Sequence, residues 1–290
     1  MTITRLAILL LCFISVTSCK VSYKKNINPD VGAGFGGGFD WPGVYLNAKV
    51  CLEGAVNQAA LPGSLEMVST LTLPYATPYT SAPWFHYSVS DIALGPTIYE
   101  DGDPLTGWVD WVLVEVYNSG YVKVDAKSAL LNREGKLFDT YGQQGLLFST
   151  LYPGDYYINI KHRNHLAIAN LTAVSLTAQN LEFNLDFTDP PTTTTLQQTI
   201  GTYQCMLAGD VNSDNTIDSA DRDRLNTQVD SILPLAVDGT ALNGYFLTDT
   251  NFDGTITKDL AVIPSTPDHS LIIANDSQTT VVHPNAPAPP

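Results

Sequence analysis

Two short stretches place an oxygen-bearing side chain at nearly every other residue, and this pattern limits what they can fold into more than any other feature of the chain. Residues 210–221 read DVNSDNTIDSAD, with Asp210, Asn212, Asp214, Asp218 and Asp221 at positions 1, 3, 5, 9 and 12 of a twelve-residue loop. Residues 249–260 read DTNFDGTITKDL and repeat the start of the pattern with Asp249, Asn251 and Asp253. Ca²⁺ takes about six to eight oxygen ligands at ~2.3–2.6 Å, and alternate residues of a tight loop can turn inward on one ion. Thr216 and Thr255 at position 7 would add backbone carbonyls, while Ile217 and Ile256 at position 8 would tie each loop to a neighbour. Asp/Asn-rich turns also cap helices and fill surface loops. A turn needs no carboxylate at every other position, however, and the repeat favours metal. The second loop departs at position 12, where Leu260 stands and the nearest carboxylate, Asp259, comes one residue early. That site is expected to be weaker, distorted or completed by water. Asn215 replaces the usual Gly at position 6 of the first loop, a mild change because Asn tolerates left-handed backbone.

An apolar helical stretch follows the first loop, Ala220 to Leu233, with no good helix before it. In this the pair resembles a dockerin type I module, over roughly residues 205–265, rather than a calmodulin-type EF-hand pair. The resemblance implies a small α-helical, EF-hand-like domain that folds on calcium and docks onto cohesin domains through loop positions 10 and 11, where Ser-Thr pairs are frequent. Here those positions hold Ser219-Ala220 and Lys258-Asp259. The calcium ligands carry over residue by residue; the cohesin-docking pair does not.

After Arg5 comes the apolar run LAILLLCFISV, short for a membrane span, ending in Val16-Thr17-Ser18-Cys19. This reads as a signal peptide over residues 1–18. The small residues before the Cys resemble a bacterial lipobox, which implies acylation of Cys19. Acyl chains favour membrane binding by ~0.8 kcal/mol per buried methylene, so lipidated Cys19 would tether the chain without a spanning helix. Residues 19–40, with Lys20, Lys24, Lys25 and the Gly-rich stretch Gly32 to Gly38, then read as a tether. The expected location is the bacterial outer membrane, with the face left open. A net charge of −15 leaves no basic patch to displace counterions from phosphates, so nucleic acid is not an expected partner. With Cys12 in the leader and Cys19 acylated, Cys51 and Cys205 remain; an oxidising envelope permits their pairing, but their spacing does not require it.

Residues 41–189 alternate short β-rich runs with Gly, Pro, Asn and Asp: Val44 to Leu52, Val109 to Tyr117, Ser128 to Arg133, Gly145 to Leu151, Tyr156 to His162, Ala167 to Leu176 and Leu181 to Phe187. This is the pattern of an antiparallel β-sandwich. In the second run, Val109, Trp111 and Leu113 are expected on one face and Asp110, Val112 and Val114 on the other. Leu151-Tyr152-Pro153-Gly154-Asp155-Tyr156 resembles a hairpin of transthyretin-like or Cna-B-like sandwiches, with Gly154 expected at positive φ. The larger block, VDWVLVEV to YPGDYYINIKHRNHL, resembles a module of Bacteroidota surface and adhesin-like proteins, for which no chemistry carries over. Residues 190–204, opening on Pro190-Pro191-Thr192-Thr193, read as a linker to the 205–265 calcium module, and 266–290 as a tail.

No catalytic constellation emerges. His162, Arg163 and His165 at a strand end suggest a zinc or acid–base pair with Asp155, but residues three apart on a strand face opposite sides. A polar hairpin tip is expected. Asp110 and Glu115 sit on opposite faces by parity, unlike paired glycosidase carboxylates. Trp84, Phe85, His86 and Tyr87, with Tyr75 and Tyr79 upstream, either offer a stacking surface for sugar or protein or seal the sandwich edge. The sequence therefore predicts a membrane-anchored, calcium-stabilised, non-enzymatic binding or scaffolding lipoprotein with an envelope protein or glycan as partner. The alternative is a carbohydrate-binding module, or an accessory protein of a glycan-handling complex, using aromatic loops of the sandwich.

Overall fold

The computed structural model describes residues 43–61, 63–80, 84, 107–177, 182–189, 197–234, 241–258 and 267–278. The leader, Cys19 and the tether to residue 40 lie outside these, as do Phe85, His86, Tyr87, Asp259 and the end of the tail. The chain divides into Met1–Asp40 and Trp41–Pro290.

The fold is mainly β. In the larger sheet β2 (Trp108–Asn118) lies between β3 (Lys123–Asn132) and β6 (Gly154–His162). The edges are β4 (Leu137–Phe138) on β3, and β7 (His165–Ala169) and β8 (Val174–Leu176) on β6, all antiparallel. In the smaller sheet β1 (Val44–Lys49) pairs antiparallel with β5 (Leu146–Phe148) but parallel with β9 (Glu182–Asp186), so the fully antiparallel expectation fails at that pair. Strand β1 alternates, burying Val44, Leu46 and Ala48. These share one core with Val112, Val114 and Val116 of β2, Ala129 and Leu131 of β3, and Ile158 and Ile160 of β6. Each of the Val, Leu and Ile side chains contributes about 1.5–3 kcal/mol by leaving water.

Strand β2 is buried on both faces, as a near-continuous apolar run requires. Trp111 and Leu113 pack against Leu73, Tyr79 and Trp84 in a second cluster. Val109 does not join them; it sits with Val112 and Val114. The cause is a register shift between Trp108 and Asp110, since one extra residue in a strand reverses which face its neighbours occupy. Trp84 is 6% exposed and meets Tyr79 edge-on, with ring centroids 5.3 Å apart, so both rings seal this face and neither offers a stacking platform. Gly154 does not adopt positive φ; it opens β6 and pairs with Leu176.

The stretch read as a linker contains a hairpin, β10 (Gln197–Ile200) and β11 (Tyr203–Met206). Only its first residues carry Pro/Thr composition; beyond them the turn at Gly201 (φ 63°) folds the chain back. Strand β11 runs beside the end of β1, with Met206 N–H donating to Cys51 O at 2.7 Å and a disulfide between Cys51 and Cys205. The open cysteine question closes in favour of pairing.

Beyond β11 lie α1 (Ser219–Ile232), β12 (Ala241–Asn243), β13 (Thr255–Thr257) and α2 (Pro267–Ala274). Helix α1 buries Leu225 and Val229 against Ile217, Ile256 and Ile272, and the same cluster takes in Leu166 of β7. The stretch is thus packed on the larger sheet, not strung beside it. It also runs past residue 265, because Ser277 N–H donates to Ile217 O and Ile217 N–H to Gln278 O. No helix among the described residues is long and apolar enough to cross a membrane.

Candidate metal centre

The two Asp/Asn loops repeat one backbone. Positions 4 and 6 have positive φ in both, Ser213 (61°) and Asn215 (68°) in the first and Phe252 (62°) and Gly254 (77°) in the second. Such a conformation is unfavourable outside Gly and Asn, so its repetition at Ser213 and Phe252 marks a backbone imposed by its surroundings. The hydrogen bonds repeat as well. Position 6 N–H donates to position 1 Oδ2, Asn215 to Asp210 at 3.1 Å and Gly254 to Asp249 at 3.0 Å. Position 5 N–H donates to position 3 Oδ1, Asp214 to Asn212 and Asp253 to Asn251. Position 7 N–H donates to position 5 Oδ1, Thr216 to Asp214 and Thr255 to Asp253. These bonds turn the predicted ligands at positions 1, 3 and 5 towards the inside of each loop.

In the first loop the remaining carboxylates also start helix α1. Asp218 is its N-cap and accepts from Ala220 N–H, while Asp221 accepts from Asp218 N–H in a capping box. The other oxygen of Asp221 accepts from Val211 and Asn212 N–H at positions 2 and 3. Asp221 therefore joins both ends of the loop. Burial, with the charges of Asp221 and Asp214 added, pushes Asp210 up to about 8, and burial raises Asp221 to about 6. Crowded carboxylates of this kind favour a proton or a divalent cation. The all-oxygen donor set, with Asn Oδ1 and a position-7 carbonyl, suits a hard cation such as Ca²⁺. Among the described residues no three His, Cys, Asp and Glu side chains by themselves form a closed metal centre; the loops fit only with amide and carbonyl oxygens counted.

The second loop holds Asp249, Asn251, Asp253 and Thr255 in the same arrangement, and Asp259 lies outside the described residues. Ile217 and Ile256 are both fully buried, yet they do not pair with each other. Ile256 pairs with Leu242 in β12, and Ile217 with residues 277 and 278. Burial pushes Asp249 up to about 6, although Arg163 pulls it down. Sequence reading missed Asp268. This residue, in the first turn of α2, accepts from Thr250 N–H at 2.7 Å and from Thr250 Oγ1. Its signal was present as Thr266-Pro267-Asp268, since Pro at the first helical position followed by an acid marks a helix start.

His162, Arg163, Asn164 and His165 are not an exposed tip. All four are at most 2% exposed, because the second loop covers them. Asn164 donates to Asp249 O and accepts Gly209 N–H on its backbone carbonyl. Phe252 lies against both His rings and under Arg163, whose Nη1 donates to Phe246 O. Asp155 takes no part; its partner is Ser175. Arg163 Nε and Asp110 Oδ2 are 2.6 Å apart at full burial, and His162 and Tyr245 also bond Asp110. Burial alone would raise Asp110, but Arg163 and His162 outweigh it and hold the carboxyl down at about 2. Glu115 is likewise ionised: burial raises it, and Lys161 and Lys123 more than reverse that. Both carboxylates are engaged in ion pairs and neither is poised for acid–base work. His165 and Ser213 line a small cavity with Lys161 and Asp210, and His165 Nε2 and Ser213 Oγ have no hydrogen-bond partner among the described residues. Two such atoms fit an ordered water.

No protein-family model matches the chain, and no curated protein matches it. Among solved structures, it is similar to a C-terminal interface mutant of a type II cohesin–X–dockerin complex from Acetivibrio cellulolyticus, at 16% identity and TM-score 0.34, covering 82% of this chain and 97% of that one. An N-terminal interface mutant of the same kind of complex gives 18% identity and TM-score 0.31, covering 57% and 81%. A Bacteroides fragilis protein assigned to cell adhesion gives 15% identity and TM-score 0.23, covering 53% of each chain. At TM-scores this low the reading of the site rests on its own residues.

Proposed function

We propose that residues 205–278 are a calcium-folded clamp seated on the β-sandwich of a lipid-tethered, non-enzymatic binding or scaffolding protein of the bacterial envelope. The observation that carries this is the repeated loop: two copies of one strained backbone with the same inward-turned oxygens, one of them pressed on the buried turn 162–165. Asp210, Asn212, Asp214, Thr216, Asp218 and Asp221 would hold one Ca²⁺. Asp249, Asn251, Asp253 and Thr255 would hold another. The ion would neutralise carboxylates that otherwise repel, so binding and folding are coupled. The dockerin-like character extends to the loops and not to cohesin docking, since Lys258 at position 10 is tied to Asp230 at 2.6 Å. Cys19 would carry the acyl anchor and place the sandwich at the outer membrane.

Melting of the chain in calcium and in chelator tests the clamp. Calcium is expected to raise the midpoint, and superimposable traces would overturn the reading. Cys19→Ala is expected to move the protein from the membrane to the soluble fraction, and unchanged membrane association would remove the anchor. Capture of envelope proteins with and without calcium then reports whether the clamp or the sandwich holds the partner.

A further inference from the structure

Loop 249–260 lacks a carboxylate at its twelfth position, yet the role that Asp221 plays in the first loop is filled. Asp221 Oδ1 accepts from Val211 N–H, loop position 2, at 2.8 Å. Asp268 Oδ1 accepts from Thr250 N–H, again loop position 2, at 2.7 Å. Both carboxylates sit in the first turn of the helix that follows their loop. Resting on the calcium reading above, we infer that Asp268, eight residues beyond Leu260, is the closing carboxylate of the second calcium site, in place of Asp259.

A second observation points the same way. Asp268 is 2% exposed, and its Oδ1 takes both bonds from Thr250, which holds the carboxyl against the start of the loop. A carboxylate in so buried a residue is costly unless it is neutralised or paired. Its carboxyl lies within electrostatic reach of the loop carboxylates of Asp249 and Asp253. A purely capping acid has no reason to face two other acids. The second site is then complete, with Asp249, Asn251, Asp253 and Asp268 for side-chain oxygens and the chain between Lys258 and Pro267 as an insertion. An insertion there leaves the ligands' geometry intact, because the helix brings Asp268 back to the start of the loop.

Calorimetric calcium titration of the chelator-stripped protein tests the assignment. Wild type is expected to bind two ions. D268N keeps an acceptor for Thr250 N–H but removes charge, and should weaken one site about tenfold or more while sparing the other. D221N should weaken the other site, and D259N should leave both within about twofold. A wild type that binds no calcium overturns the calcium reading itself. One bound ion, or two with D268N unchanged, overturns the Asp268 assignment alone, as does a loss confined to D259N. Circular dichroism in saturating calcium is expected to match wild type for D268N; lost helix that calcium does not restore would make Asp268 a cap and overturn the assignment.

Discussion

Asn164 donates its side-chain N–H to the backbone carbonyl of Asp249 across 2.6 Å, and both residues are buried. The donor is in the turn between β6 and β7, and the acceptor belongs to position 1 of the second loop. Removing the donor leaves a buried carbonyl unsatisfied, which costs about 1–3 kcal/mol. Asn164→Ala is therefore expected to lower stability by that amount in urea titration and to weaken calcium binding at the second loop. An unchanged isotherm would separate the turn from the site.

Gly54 marks another close approach. A Cβ there would lie 1.7 Å from Thr250 O, a backbone atom that cannot swing aside. Gly54→Ala should destabilise by at least ~1–3 kcal/mol, the usual penalty of overpacking. The chemical-denaturation midpoint measures it, and a neutral result would mean that the second loop and the turn at Gly54 are not in contact.

The disulfide between Cys51 and Cys205 closes a separation of 154 residues and fastens β11 beside the end of β1. The Cys51→Ser/Cys205→Ser double variant is expected to lose about 2–5 kcal/mol. Its melting in calcium would fall accordingly, and equal melting of the two forms would contradict the role.

Burial pushes His162 and His165 below the ordinary imidazole range; Asp110 partly restores His162, and the charges of His162 and Arg163 lower His165 further. The unfolded chain, titrating at ~6.5, then takes up protons that the folded one refuses. Stability is full above ~6.5 and falls as pH drops through it towards the depressed folded values. Asp110, held at about 2, adds a second loss only below the unfolded carboxyl value of ~3.9. Glu53, raised by burial, acts in the opposite sense. In saturating calcium the urea midpoint should be lower at pH 5 than at pH 7.5; a rise would rule out a buried neutral pair.

Much of this was legible from residue order. The strands fall where β-branched runs meet Gly and Asn, and the two loops announce themselves by alternate oxygens. Parity failed at Val109 because one bulge, invisible in composition, reversed the strand's faces. The turn 162–165 read as polar surface because polarity says nothing about what covers it: Phe252, the one aromatic in the second loop, supplies the lid from ninety residues away. Asp268 escaped because loop motifs are read as contiguous, whereas its bonds to Thr250 reach the loop in space from the start of the next helix.

Hydrogen exchange of the whole chain with and without calcium tests the clamp most directly. Chelation should speed exchange across residues 207–232, 244–258 and 267–278 and in the turn 162–165, while β2 and β3 keep their protection. An exchange map that is the same in calcium and in chelator would contradict the account.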